Sequence, residues 1–464
     1  MPGTRTIPGQ FKIFVSCSSA RHTYNLSVVI NIETCEKIPR SLHILDSTNT
    51  CRWVIEVNQR KGLVMREIRL SEMAQSIDLL NYVFQMSMSI KQDRRFVSEK
   101  SRQFNVGHAL GWFDGDQLVS QILSLPFQVN VYGVAYEMGG ITAVGTYPEY
   151  SKQGLIDSLI KKTLAVMREE GRYISYLFPF SIPYYRKKGW EIMSDIVEFQ
   201  VKDTQFPHYT EVSGKIRRVD TRAEDLVNVY EKYASRTHGA MIRNTIAWNE
   251  KFHEDFWEEK FVDSDVQLQA AVYYDEEDEP QGYLFYRIME ENFYIDEIVY
   301  LQEEARKGLW NFVSAHKSMV YNAYGKTAGN EPVAFLLEDS EIIQKVSPYF
   351  MARIVDVEKF LERYPFDEPN FHIRLKITDR MVEWNNGTFE ITSADWKVKV
   401  QKVEGDALEN ITVQMSIQTL ATMLLGYKRP KYLEKIERLK GTTETISMLE
   451  DILPIGVPTF IDYF

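Results

Sequence analysis

The stretch ITAVGTYPEYSKQGLIDSLI, residues 141–160, decides the fold of this chain. Its first part is rich in small residues and predicts a β-strand, and apolar residues at three- and four-residue steps after Gly154 predict a helix that ends near Gly171. The first turn of such a helix leaves backbone N–H groups without partners, with the positive end of the helix dipole behind them. This strand, loop and helix are therefore suited to hold a pyrophosphate.

The loop differs from the common nucleotide-binding motifs. SKQGL, residues 151–155, lacks the Gly-Lys-Ser/Thr ending of a Walker loop, and its glycines do not have the GxGxxG spacing. A helix that begins with a glycine is also common for purely structural reasons. The residues alone therefore indicate an anion site without naming its ligand.

The elements on both sides of this stretch predict a mixed α/β layer. A strand and helices begin at Met65, and a hairpin turns at Asp-Gly-Asp 114–116. Two further strands are expected at residues 173–181 and 196–203. The opening strand and capped helix after Met65 are typical of a domain start.

Residues 206–362 repeat this plan. Strand, capped helix, meander and a second glycine-interrupted helix follow one another, but the later copy has EEAR, residues 303–306, where the first has the EYSKQ loop. Acidic residues at a helix start disfavour an anionic ligand. We interpret this region as a duplicated domain that has lost its ligand site.

The pattern changes again after about residue 365. Alternating apolar residues around Asn386-Gly387 predict antiparallel strands, and two helices follow. These elements would form a small α+β layer, which either encloses a gap of lipid size or has a filled core.

Charge and cysteine usage limit the function classes. The formal charge of −11 argues against a nucleic-acid partner, and we find no apolar run long enough for a membrane span. Three cysteines exclude a disulfide framework, and eight scattered histidines give no metal site. We expect a cytoplasmic protein without a bound metal.

Residues 1–64 stand apart from the rest. They are basic although the whole chain is acidic, and they contain all three cysteines, Cys17, Cys35 and Cys51. No signal-peptide order is present. We expect the natural start at Met65, with residues 1–64 as an appended or disordered extension.

Two segments carry a family resemblance. AVGTYPEYSKQGLIDSLI, residues 143–160, followed by SYLFPFSIPYYRKKGWE, residues 175–191, resembles the GNAT acetyltransferases and more closely the enhanced intracellular survival (Eis) group. The resemblance implies the fold class α/β (α+β). It implies two tandem GNAT folds, of which the second is degenerate, followed by a C-terminal sterol-carrier-like α+β domain. These would span residues 65–205, 206–362 and 363–464.

The resemblance also implies acetyl-CoA as co-substrate. Backbone amides of the loop Ser151, Lys152, Gln153, Gly154, Leu155 and Ile156 would hold the pyrophosphate, and Val144, Gly145 and Thr146 would bond the pantetheine. Ser151 departs from the family's Gln or Arg, so a cation is missing there, and Lys152 or Gln153 would compensate in part.

Two catalytic residues follow from the same resemblance. Tyr185 stands four residues before Gly189-Trp190, as in the Eis pattern, and its phenol would protonate the departing thiolate. We expect it at the end of a strand, with Tyr184 on the opposite face as a packing residue. The carboxylate of Phe464, at which the sequence ends, would be the base, directly or through a water.

Two functions remain open at this point. The first is an N-acetyltransferase that acts on a primary amine of a cationic acceptor such as a polyamine, an aminoglycoside or a lysine side chain. The second is a non-catalytic protein that binds or senses acetyl-CoA or a lipid. For the enzyme, the resemblance implies a homo-oligomer, trimer or hexamer.

Overall fold

The computed structural model describes residues 14–20, 23–29, 62–85, 94–252, 266–331, 333–403 and 411–464. The chain divides into two compact units, Met1–Val64 and Met65–Phe464. In the first unit, β1 (Phe14–Ala20) and β2 (Thr23–Val29) form an antiparallel hairpin. The prediction that residues 1–64 are an extension falls mainly outside the described residues.

The first sheet of the second unit contains the strand from the stretch of residues 141–160. Its strand order is β3-β4-β5-β6-β7-β17-β8, with β11 paired to β5. The strands are β3 (Leu63–Glu67), β4 (His108–Asp114), β5 (Gln117–Val131), β6 (Val134–Thr146), β7 (Ile174–Leu177), β8 (Glu191–Ile192), β11 (Met241–Ile242) and β17 (Met351–Ile354).

Helices cover both faces of this sheet. They are α1 (Met73–Phe84), α2 (Arg94–Val106), α3 (Leu155–Glu169) and the short α4 (Ile182–Arg186). A Cβ on Gly139 of β6 would meet Met167 of α3, whereas one on Gly145 would meet Val83 of α1. The helix predicted after Gly154 is confirmed.

The second sheet has the strand order β10-β12-β13-β14-β15-β9-β16. Its strands are β9 (Asp195–Lys202), β10 (Lys215–Val219), β12 (Gln269–Tyr274), β13 (Pro280–Met289), β14 (Asn292–Tyr300), β15 (Asn322–Ala328) and β16 (Ile343–Pro348). Its helices are α5 (Glu224–Arg236), α6 (Thr245–Phe252), α7 (Glu303–Ser314) and α8 (Val333–Leu336). The parallel pair β14 and β15, joined through α7, repeats the arrangement β6, α3, β7.

The two sheets exchange strands. The strand predicted at residues 196–203, expected to end the first domain, is formed by β9 but lies in the second sheet between β15 and β16. In return β17 lies between β7 and β8 of the first sheet. The apolar pattern of a strand shows that it is half-buried and does not show which partner covers it, so sequence reasoning assigned β9 to the wrong sheet.

The third sheet belongs to the C-terminal region and has the order β20-β19-β18-β21-β22. It contains β18 (Phe371–Thr378), β19 (Gly387–Ala394), β20 (Lys397–Val403), β21 (Thr412–Ser416) and β22 (Leu439–Lys440), with α9 (Val357–Leu361), α10 (Ile417–Leu424), α11 (Pro430–Lys435) and α12 (Thr443–Ile452). The predicted antiparallel strands and helices are present, although β18 and β21 pair in parallel. Their buried apolar side chains join one core with those of the first sheet.

Within the described residues, single turns of 3-10 helix lie at Leu70–Glu72, Pro148–Tyr150, Asp203–Gln205 and Glu383–Asn385. No helix in the described ranges has the length and apolar character needed to cross a membrane. The same ranges contain no group of three or more His, Cys, Asp or Glu side chains placed to hold a metal ion.

Candidate active site

The first sheet opens where β6 outruns β7. The two strands pair in parallel from Met138 opposite Ile174 to Ile141 opposite Leu177, and β7 ends there. β6 continues to Thr146, paired on its other side with β5. The backbone of residues 142–146 therefore has no strand partner on the β7 side, and its N–H and C=O groups are available to a ligand.

A β-bulge shapes this free edge. The register of β5 and β6 shifts between Gln121 and Leu123, and Ala143 has a positive φ of 54°. A bulge bends its strand and turns the groups beyond it. The Thr146 hydroxyl lies 2.7 Å from that of Ser120, so this side chain hydrogen-bonds within the sheet. The backbone of Thr146 remains available to a ligand. Val144, Gly145 and Thr146, the predicted pantetheine residues, all lie on this edge.

The loop after β6 leads into an uncapped helix start. Lys152 and Gly154 have positive φ values of 60° and 71°, and no side chain caps α3 at Gly154. Trp112 fixes the first turn, because its Nε1 donates to Leu155 O at 3.2 Å and to Ser158 Oγ at 3.1 Å. The orphan N–H groups of the first turn and the positive end of the helix dipole are suited to an anion.

The predicted loop residues differ in exposure. Ser151, Lys152 and Gln153 are exposed, Gly154 and Ile156 are half-buried, and Leu155 packs into the core. The six residues from Ser151 to Ile156 thus form one continuous turn beside the free edge of β6. We call this turn the cradle.

An ion pair missed by sequence reasoning joins the first turn of α3 to the segment after α4. Asp157 in the first turn of α3 pairs with Lys188, whose side chain is 13% exposed. The pair neutralises a carboxylate that would oppose an anion at the helix start, and it ties the segment after Tyr185 to α3. The sequence shows the acidic Asp157 in the predicted first turn of α3. It does not show which distant side chain pairs with this carboxylate.

Tyr185 is buried in a helix rather than placed at the end of a strand. The expectation of a strand end is wrong, because Ile182–Arg186 form the five-residue helix α4, with Pro183 in its first turn. The side chain is 3% exposed, and its ring contacts those of Tyr184 and Phe180 at 5.3 and 5.4 Å. Burial raises the pKa of the Tyr185 phenol, and its hydroxyl has no hydrogen-bond partner in the described part of the chain.

The spacing from Tyr185 to Gly189-Trp190 closes this helix. The Tyr185 carbonyl accepts from Lys188 N at 2.9 Å and from Trp190 N at 3.1 Å. Gly189 has a φ of 96°, and a Cβ there would overlap the guanidinium of the buried Arg353. Arg353 Nη1 donates to Lys188 O at 2.6 Å. The glycine is therefore required by the turn that positions the phenol.

Tyr184 also belongs to the helix, so the argument from strand alternation does not apply. It is half-buried, and burial, followed by the charge of Asp157, raises its pKa to about 12. Its ring lies next to that of Tyr185 and not on an opposite face.

The last residues of the chain lie on the first sheet. The Phe464 side chain is 6% exposed and packs against Phe127 and Phe350, with ring centroids 4.8 and 5.1 Å apart. A Cβ on Gly140 would meet the Phe464 ring, so this glycine makes room for it. Phe464 thus lies just before the free edge of β6.

A buried ion network holds this tail. Asp462 Oδ1 accepts from Arg243 Nε at 2.6 Å, and Oδ2 accepts from Tyr230 Oη at 3.0 Å. Arg243 also donates from Nη1 to Glu297 of β14 at 3.0 Å. The side chains of Arg243 and Glu297 are fully buried. Sequence reasoning did not find this network.

Comparison with known protein families agrees with this architecture. Residues 64–193 and residues 239–354 each match an acetyltransferase (GNAT) domain, and residues 357–461 match a sterol carrier protein domain. A probable N-acyltransferase from Enterococcus faecalis V583 is 30% identical, with a TM-score of 0.78 over 87% of this chain and 99% of that chain. The chain belongs to the GNAT acetyltransferase family.

More distant structures share the fold of this GNAT acetyltransferase. A GCN5-related N-acetyltransferase from Anabaena variabilis ATCC 29413 is 22% identical, with a TM-score of 0.76 over 87% of this chain and all 100% of that chain. Eis1 from Mycobacterium abscessus is 16% identical, with a TM-score of 0.68 over 85% and 98% of the two chains. No curated protein sequence matches the chain.

The second GNAT domain lacks a usable cradle. At the start of α7, Glu304 accepts from Ser213 N at 2.6 Å and from Ser213 Oγ at 2.7 Å, and Glu303 pairs with Arg306. The space beside β14 is a cavity of about 20 Å³, and Tyr300 donates a hydrogen bond to Glu331 in its wall. Carboxylates and a filled cleft oppose an anionic coenzyme, as the EEAR sequence indicates.

Proposed function

We propose that this chain transfers the acetyl group of acetyl-CoA to a primary amine of a cationic acceptor. The observation that carries the proposal is the free edge of β6 at residues 142–146, which leads directly into the uncapped start of α3. An extended amide chain and a pyrophosphate joined to it match these two features in order.

The residues of the first GNAT domain fit the coenzyme. Backbone groups of Val144, Gly145 and Thr146 would pair with the pantetheine amides, and the cradle would hold the pyrophosphate. Gly154 has a left-handed φ of 71° at the start of α3, and a Cβ on Gly145 would face Val83 of α1. Lys152 is the charged side chain of the cradle, since Ser151 brings no cation.

Tyr185 is the proposed acid. The acetyl thioester supplies the acyl group, and the sulfur leaves as a thiolate that needs a proton. A phenol is protonated at neutral pH and so carries the proton that the thiolate needs. Burial raises the pKa of the Tyr185 phenol, which weakens it as a donor, but burial of the thiolate in the same place makes the sulfur more basic in the same direction. The absence of another partner for its hydroxyl in the described chain leaves that proton free for the sulfur.

The carboxylate of Phe464 is the proposed base. The protonated acceptor amine must lose a proton before it attacks, and an ordinary carboxyl pKa is too low for efficient transfer unless burial raises it or a water relays the proton. The Phe464 ring is buried against Gly140, and Tyr463 contacts Phe178, which precedes the Tyr185 helix. These contacts support a terminus close to the site.

The acceptor class and the assembly are proposed from resemblance and charge. The net charge of −11 favours a polyamine, an aminoglycoside or a lysine side chain. The shared fold with Eis1 supports an Eis-like enzyme. We also propose a cytoplasmic homo-oligomer, trimer or hexamer, without nucleic-acid or membrane partners.

Thiol release from acetyl-CoA by the purified full chain tests this function. The panel contains polyamines, aminoglycosides and lysine peptides, each with its N-methylated or N-acetylated form as control. Release that depends on one class of free amine supports the proposal and names the acceptor. Binding of acetyl-CoA without release across the panel would favour a sensing or lipid-binding protein instead.

A further inference from the structure

A second cavity lies far from the cradle. It has a volume of about 330 Å³, and its walls include Tyr132, Tyr364, Phe366, Trp396, Asp367 and Glu368. β6 begins at Val134, next to the turn that carries Tyr132, and ends at Thr146 beside the cradle. Its thirteen residues separate the two places by roughly 40 Å of strand.

Two strained aromatic residues face this cavity from different domains. Tyr132 lies in the turn between β5 and β6 with a φ of 49°, and Trp396 lies in the turn between β19 and β20 with a φ of 66°. Such turns favour asparagine and glycine, because a bulky residue rarely adopts a left-handed backbone. The hairpin turns impose these backbone angles, and a bulky aromatic side chain in such a turn costs stability that asparagine or glycine would not cost.

Trp396 is also open to a ligand. Its side chain is 63% exposed, and within the described ranges its indole contacts no other ring and no cation. Tyr132 is already stacked on His238 at 3.5 Å, and Tyr364 donates its hydroxyl to Leu424 O at 2.7 Å. The side chains of Tyr132 and Tyr364 are therefore held in place by other residues, whereas the face of the Trp396 indole is open to a ligand.

The charge of the cavity is negative. Asp367 and Glu368 are exposed, and neither forms an ion pair with a described residue. The nearby Arg429 is occupied, since its Nε donates to Glu450 at 2.9 Å and its Nη1 to Pro454 O at 2.9 Å. Lys397 follows Trp396 in the chain but pairs with neither carboxylate.

We propose that this cavity binds an organic ammonium ion. An aromatic face attracts a cation through its quadrupole, and two unpaired carboxylates add a Coulomb attraction that an anion or a neutral apolar molecule would not share. The volume lies at the small end of the range of ligand pockets, which suits a compact ammonium group. The site is separate from the acetyl-transfer site and does not depend on the proposed acceptor.

Calorimetric titration of the full chain with choline, and with 3,3-dimethylbutan-1-ol as its neutral isostere, tests the proposal. We expect choline to bind at least roughly 10-fold more tightly than the alcohol. Equal affinities, or no heat from choline up to tens of millimolar, would overturn it.

Substitutions separate binding from folding. Trp396→Gly removes the aromatic face and the strain together, so choline affinity falls by roughly 10-fold while the urea midpoint rises. Asp367→Asn weakens choline binding without moving that midpoint. Tyr185→Phe is the matched control for the transfer site, and its choline affinity stays unchanged. Unchanged affinity in Trp396→Gly, or lost affinity in Tyr185→Phe, contradicts the proposal.

Discussion

Arg243 Nε donates to Asp462 Oδ1 at 2.6 Å, which joins the second GNAT domain to the last residues of the chain. Arg243 is held in turn by Glu297 of β14. Two residues beyond Asp462, Phe464 packs on Gly140 in the first sheet. The second GNAT domain therefore has a structural role, because it holds the tail that reaches the sheet of the first GNAT domain.

Substitution of Asp462 tests this anchor. Asp462→Ala leaves the Arg243 Nε–H without its partner in a buried place, so we expect a loss of about 3–5 kcal/mol in the free energy of unfolding. Asp462→Asn keeps an oxygen acceptor and should cost less. With the tail released, kcat should fall in both variants while the KM for acetyl-CoA changes little.

Urea unfolding and steady-state kinetics measure the two effects. Asp451→Asn, at an exposed acid of α12, is the matched control and should stay within about 0.5 kcal/mol of the parent chain. If Asp462→Ala is as stable and as active as that control, the tail is not held by Arg243.

Tyr185→Phe is the direct test of the proposed acid. It removes one hydroxyl from a buried ring and keeps the ring contacts with Phe180 and Tyr184, so folding should be preserved. We expect kcat to fall by roughly 100-fold or more, with acetyl-CoA binding unchanged. Tyr184→Phe, one residue away in the same helix, should retain most of the activity. Equal effects of the two substitutions would remove Tyr185 from the mechanism.

The local parts of the site could be predicted from the sequence, and the long-range parts could not. The β6 strand, the glycine start of α3 and the acids of the second copy depend on neighbouring residues and on periodicity. The five residues of α4 are too few to show a period, so the sequence predicts Tyr185 at the end of a strand, where the structure has a helix. The partners Arg243 and Asp462 are 219 residues apart, and the exchange of β9 and β17 is equally non-local.

Ser151→Arg tests whether the cradle lacks a cation. Ser151 is exposed beside the start of α3, and a guanidinium there can pair with the pyrophosphate. An exposed pair contributes about 1 kcal/mol at most, so the KM for acetyl-CoA should fall by roughly fivefold at low salt, and salt should reduce this gain. Ser151→Gln adds length without charge and should change KM less. A KM that rises in Ser151→Arg would show that the loop already satisfies the phosphates.

The free energy of unfolding of the chain depends on pH through His238. Its Nδ1 accepts from Tyr132 N at 3.1 Å and its Nε2 lies 2.9 Å from Leu425 O, which fixes the neutral ring. Burial lowers its pKa from 6.5 to about 4. The unfolded chain then binds more protons than the folded chain below pH 6.5, so stability is full above 6.5 and is lost as the pH falls towards 4.

Urea midpoints measured from pH 7 to pH 4.5 check this slope. His238→Gln should flatten the dependence, although it lowers the stability at pH 7 by removing the stacked ring. His208→Gln, at a largely exposed histidine, should leave the slope as it is. Parallel curves for His238→Gln and the parent chain would contradict the assignment.

Extension of the tail tests the proposed base. One glycine added after Phe464 moves the carboxylate by about 3.5 Å and leaves the ring of Phe464 free to keep its place on Gly140. If that carboxylate takes the proton of the acceptor amine, kcat should fall by roughly 100-fold while acetyl-CoA binding and the urea midpoint remain unchanged. Phe464→Leu is the matched control, because it keeps the carboxylate and reduces only the ring packing. Full turnover in the extended chain, or a greater loss in Phe464→Leu, would assign the tail a packing role alone.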